Sequence, residues 1–91
     1  MRRIHRSDLN QAPLVKLARK LGMQVELTGR PVDAFCYIGQ QWLPVEFKGA
    51  QGTYTPAQEA FRARCEASGA PMLTWRDESD VLACSPFGRE G

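Results

Sequence analysis

Apolar residues at Leu14, Leu17, Ala18 and Leu21 recur at i, i+3, i+4 and i+7, the spacing of one helical face. This pattern predicts a helix over residues 12–21, closed by Gly22 with Lys20 in its last turn. Pro13 suits only a first turn, so the helix start is expected to be irregular. Asp8 and Gln11 form a capping box if the helix begins earlier. The period then changes from helical to alternating. Met23-Gln24-Val25-Glu26-Leu27 reads as a strand, Thr28-Gly29-Arg30-Pro31 as a turn, and residues 32–38 and 41–48 as two further strands. Gly39-Gln40 between them suits a two-residue hairpin turn of type II′, with glycine first.

The turn fixes a register. With Ile38 opposite Gln41, Tyr37 faces Trp42, Phe35 faces Pro44, and Asp33 faces Glu46. Directly opposed Cβ atoms lie roughly 4.5–5.5 Å apart, and Lys48, two residues beyond Glu46, shares its face. The opposite face carries Ala34, Cys36, Ile38, Leu43, Val45 and Phe47, an apolar set expected to form core. A one-residue slip would bury the charges, so the patterning favours this pairing. Pro44 lacks an N–H and weakens the strand locally. Tyr37, Trp42 and Phe35 lie on the charged face; packing under the first helix is their expected role, with base stacking the alternative.

Thr55-Pro56-Ala57-Gln58 then opens a second helix, with Thr as N-cap, Pro at N1 and Gln at N3. It runs to about Ser68 and stops at Gly69. Residues 71–75 read as a strand, and Asp77-Glu78-Ser79-Asp80 caps a short helix through Ala83. The order is α-β-β-β-α-β-α, an α/β fold with a small mixed sheet flanked by helices. All 91 residues make one domain, with a core over 8–83 and a loose tail over 85–91. A chain this short buries a modest fraction of its surface, and association as a homodimer would help stabilise it.

Composition narrows the chemistry. The chain is 43% hydrophobic and 24% charged, an ordinary globular balance. No apolar run approaches the ~20 residues of a membrane span. The basic opening Met1-Arg2-Arg3-Ile4-His5-Arg6 leads into polar residues, unlike a signal peptide. Cys36, Cys65 and Cys84 are odd in number and match no zinc spacing, so they are expected to be reduced thiols of a cytoplasmic protein. A single histidine, His5, argues against a Ser-His-Asp triad or a His-rich metal centre. No organic cofactor is expected. Net charge is only +2, but Arg2, Arg3 and Arg6, then Lys16 and Lys20, then Arg30 are placed to neutralise phosphates.

Two carboxylates with an adjacent ammonium suit a hard divalent cation, Mg²⁺ or Mn²⁺. Asp33 and Glu46 supply oxygens, and the Phe47 carbonyl lies between Glu46 and Lys48 to supply a third. Opposed carboxylates repel unless a cation or Lys48 neutralises them. Read without the hairpin register, Glu-x-Lys in a strand is most simply a surface charge cluster.

Gly29-Arg30-Pro31-Val32-Asp33, Val45-Glu46-Phe47-Lys48, Tyr54-Thr55-Pro56-Ala57-Gln58 and Ser68-Gly69-Ala70-Pro71 together resemble the PD-(D/E)XK nuclease superfamily. They look closest to its small VRR-NUC and Holliday-junction-resolvase-like branch, often found in phages. Asp8-Leu9-Asn10-Gln11 resembles the Asp-x-Asn-Gln opening of small phage members. The likeness extends from about Asp8 to Leu82. It departs at Val32, where the signature has Pro, and at Pro13, one place later than expected. The resemblance implies a restriction-endonuclease-like core and a metal-dependent endonuclease acting on DNA, branched or otherwise structured, as a homodimer. Asp33 and Glu46 would bind metal and Lys48 would be catalytic. Gln58 would lean towards the site, or serve the capping box with Thr55. Asn10, in phase with Leu14, would assist the metal or water, or be a satisfied buried amide. The alternatives left open are a DNA-binding module of the same fold without catalysis, and a small interaction protein.

Overall fold

The computed structural model describes residues 6–84, with side chains described from residue 11 onward. Its elements run α1 (Arg6–Lys20), β1 (Gln24–Leu27), β2 (Ala34–Ile38), β3 (Gln41–Phe47), α2 (Pro56–Ala67), β4 (Leu73–Trp75) and α3 (Glu78–Cys84). The fold is α/β, in the order expected. Four strands form one mixed sheet in sequence order. β1–β2 and β2–β3 pair antiparallel, and β4 joins β3 in parallel after the α2 crossover.

The hairpin register is the one read from the turn: Ile38 faces Gln41, Tyr37 faces Trp42, and Ala34 faces Val45. The turn type differs from expectation. Gly39 and Gln40 both have positive φ, 61° and 70°. That is the type I′ pattern, whose twist matches the flanking strands, and not the type II′ turn expected from a leading glycine.

The sheet's two faces are covered differently. Leu14, Val15 and Ala18 of α1 and Val81 of α3 pack onto Val25, Ala34, Cys36, Val45, Phe47 and Trp75. Phe47 and Trp75 meet edge to face with ring centroids 5.9 Å apart. This is the expected apolar face. α1 starts earlier than its periodicity suggested, so Asp8 lies inside the first turn and is not its cap, and Pro13 sits inside the helix. An interior proline costs roughly 3 kcal/mol; burial of Leu14, Val15 and Ala18 around it offsets that cost.

α2 lies on the side of the opposite face, joined to β3 and Lys48 through Gln58. Thr55 caps it with a complete capping box: its Oγ1 accepts from the Gln58 N–H, and the Gln58 side chain accepts from the Thr55 N–H. The helix ends in a Schellman arrangement, with Gly69 N–H donating to the Glu66 carbonyl and Ala70 N–H to the Cys65 carbonyl. Gly69 supplies the required positive φ of 83°. No residue of α2 is buried. Among the described residues no helix is long and apolar enough to cross a membrane.

Candidate active site

The regular β2–β3 ladder stops at Ala34–Val45, and the next step is made by side chains. Asp33 Oδ2 accepts from the Phe47 N–H at 2.9 Å, capping the open end of the hairpin. The Asp33 carbonyl accepts from the Thr28 and Gly29 N–H groups, which pins the preceding loop. Asp33 thus sits beside Glu46, as the register required, near enough for its carboxyl to raise that of Glu46. The Lys48 N–H donates to the Trp75 carbonyl of β4. Along one strand, N–H and C=O of one residue point to the same side, so the Phe47 carbonyl is directed towards the Asp33 side, where its N–H points.

Glu46 is only 2% exposed, the one buried charged or polar residue of the described core. Burial, then the neighbouring Asp33, pushes its carboxyl up to about 7, against the opposing pull of Lys48 and an Asp33 backbone hydrogen bond. Its Oε1 accepts from Gln58 Nε2 at 3.2 Å. Gln58 Oε1 accepts from Lys48 Nζ at 2.9 Å and from the Thr55 N–H at 2.9 Å. Gln58 therefore performs both roles that the sequence set as alternatives: it completes the capping box and bridges Glu46 to Lys48. One side chain does both because its amide oxygen has two lone pairs and its NH₂ group is still free to donate. The Lys48 ammonium also lies over the Tyr54 ring, 5.6 Å from its centroid.

Arg76 is a residue that sequence reasoning missed. Its guanidinium donates to the carbonyls of Gly49 at 2.7 Å and Gly52 at 2.8 Å, holding the loop that follows Lys48. The only signal was an arginine directly after a short strand, which alone specifies nothing. Its own N–H donates to Asp80 Oδ2 in the α3 cap.

Other expected positions separate from the site. Lys16 and Lys20 are exposed on α1, the layer packed on the opposite face of the sheet. Arg30 is exposed in the β1–β2 loop near Asp33. Arg2 and Arg3, and the side chains of Arg6 and Asn10, lie outside the described residues. Tyr37 and Trp42 do not pack under α1. Their rings meet at a tilted angle of 58°, centroids 5.3 Å apart, on the charged face and remain 40% and 43% exposed. The parity that puts Asp33 and Glu46 opposite the core puts these rings there too.

Among the described residues no third acidic, histidine or cysteine side chain joins Asp33 and Glu46. The donor set is two carboxylates and a backbone carbonyl. That set suits a cation which keeps several waters, such as Mg²⁺, rather than a fully protein-ligated one such as structural Zn²⁺. The Glu46–Asp33 repulsion is what a divalent ion would relieve. No protein-family model, curated protein or solved structure matches this chain.

Proposed function

We propose that this protein is a Mg²⁺- or Mn²⁺-dependent DNA endonuclease of the PD-(D/E)XK type. The observation that carries this reading is the linked set Asp33, Glu46, Lys48 and Gln58 at the open end of one hairpin, with a buried Glu46 forced against Asp33. Such strongly perturbed carboxyls concentrate at functional sites.

Asp33, Glu46 and the Phe47 carbonyl would hold the cation. When bound, it lowers the pKa of a water and offsets charge on the scissile phosphate. The chain's own groups do the rest. The Phe47 N–H fixes the Asp33 carboxylate. Gln58 holds the Lys48 ammonium at the site, where it hydrogen-bonds the attacking water or a phosphate oxygen that gains charge in the transition state. Water oxygen bonds to phosphorus and gives up a proton, the P–O bond to one nucleoside breaks, and the leaving oxygen takes up a proton to become a hydroxyl. Branched or otherwise structured DNA is the proposed substrate and a homodimer the proposed assembly, the latter supplying surface that 91 residues lack.

The test is cleavage of junction, nicked and linear DNA with Mg²⁺ or Mn²⁺, comparing wild type with Glu46→Ala and Lys48→Ala. Cutting that needs divalent metal and both residues supports the reading. Equal cutting by all three proteins, or none by wild type, defeats it.

A further inference from the structure

Beside Gln58 a groove of about 550 Å³ opens between the β1–β2 loop and α2, lined by Arg30, Pro31, Ala57, Gln58, Phe61 and Arg64. Both walls lead to the carboxylates. Pro31 is two residues before Asp33 in the chain, and Gln58 itself bonds Glu46 and Lys48. Ala57, Phe61 and Arg64, at i, i+4 and i+7, present one helical face to the groove. The Arg64 guanidinium lies 5.4 Å from the Phe61 ring centroid. Phe61 is half-buried on a helix that buries no residue, so the core does not account for its position.

We propose that this groove binds an unpaired strand of DNA next to the bond to be cut, so that the site acts on frayed, flapped or single-stranded segments. The inference rests on the nuclease reading for what happens at the carboxylates, but the groove argument is separate. An aromatic ring flanked by two arginines is the arrangement that holds single strands: the ring stacks a base while the cations meet phosphates on either side. Arg64 over Phe61 adds a planar guanidinium to the same stack. A paired base exposes its edge in a groove and keeps its face stacked on its neighbours, so only an unpaired base can lie on Phe61.

Binding is measured by fluorescence anisotropy in EDTA, which keeps cleavage off, with a short oligothymidine, an abasic strand of equal length and a duplex. Wild type is expected to hold oligothymidine about tenfold tighter than the abasic strand, within the range for one stacked base. Phe61→Ala should erase that preference and Phe61→Trp should keep it. Arg30→Ala and Arg64→Ala should each flatten the slope of log affinity against log salt by about 0.7. A preference for duplex in wild type, or an unchanged preference in Phe61→Ala, overturns the proposal. Cleavage of forked against blunt duplex with Mg²⁺ separates the two readings. Glu46-dependent cutting of both at equal rates, unaffected by Phe61→Ala, leaves a nuclease and defeats the groove. Phe61-dependent strand binding with no Glu46-dependent cutting keeps the groove and defeats the nuclease.

Discussion

The two faces of the sheet are built by opposite means. α1 and α3 are held on one face by buried side chains, with Leu14 1%, Ala18 0% and Val81 0% exposed. α2 lies on the other side without one buried residue, tied to β3 and the residue after it by Gln58, which donates to Glu46 and accepts from Lys48. Apolar burial contributes most of the stability of a small domain. The α1 face therefore carries the fold, and the α2 face, where the proposed site lies, contributes little to it. The contrast explains why Glu46, the one buried charged residue among the described residues, is on the α2 side: its unfavourable setting is offset by packing on the reverse of the same strand.

This division can be broken experimentally, starting with the largest effect. Lys48→Ala is expected to lower cleavage by roughly 10²–10⁴-fold, the usual contribution of a positioned proton-transfer or charge-stabilising group, while unfolding free energy moves by no more than about 1 kcal/mol. Parallel kinetics and urea denaturation check both halves; a large stability loss with little change in rate would invert the assignment of faces. Leu14→Ala should do the reverse, costing about 2–5 kcal/mol by leaving a cavity under α1, against about 1 kcal/mol or less for Phe61→Ala on α2. Matching losses for the two, read from urea midpoints, would erase the distinction.

The third test uses pH. The Glu46 carboxyl is raised from 4.5 to about 7, by burial first and Asp33 second. The folded state therefore binds more protons than the unfolded state across that window, and stability falls as pH rises through it. Thermal melting without divalent cation should show this loss between about pH 4.5 and 7. Glu46→Gln should flatten that part of the profile and be the more stable protein at higher pH. Mg²⁺ should restore wild type above pH 7 and leave Glu46→Gln unchanged. Wild-type and Glu46→Gln profiles of the same shape would remove Glu46 as the source. Smallest, Thr55→Ala should cost about 1 kcal/mol through loss of its cap, with cleavage reduced far less than by Lys48→Ala. A drop in rate as large as that of Lys48→Ala would show that the cap, and not Gln58's own bonds, sets the site.

The parts legible in the sequence were those set by short-range rules. A two-residue turn at Gly39-Gln40 leaves one sensible register, and that register alone brings Asp33 to Glu46. Thr55 and Gln58, three residues apart, announce the start of α2. The turn type was misread because Gln40 adopts a positive φ that glycine usually supplies. α1 starts earlier than expected because local rules admit Pro13 only in a first turn, whereas packing of Leu14, Val15 and Ala18 in the core offsets the cost of holding it inside the helix. What stayed hidden depended on separations that no local pattern encodes. Examples are Arg76 reaching back to Gly49 and Gly52, and Arg30 and Phe61 lining one groove.

The Gly39–Gln40 turn also bears on the order of assembly. It closes the shortest loop in the sheet, and hairpins zip in about 1–10 μs. β4 must wait for α2 to cross over before it reaches β3, at a greater loop-closure cost. The two carboxylates are thus expected to meet early, as an acidic pair awaiting the glutamine that later joins Glu46 to Lys48. Folding φ-values high at Trp42 and low at Gln58 would be the kinetic signature of a site built in that sequence.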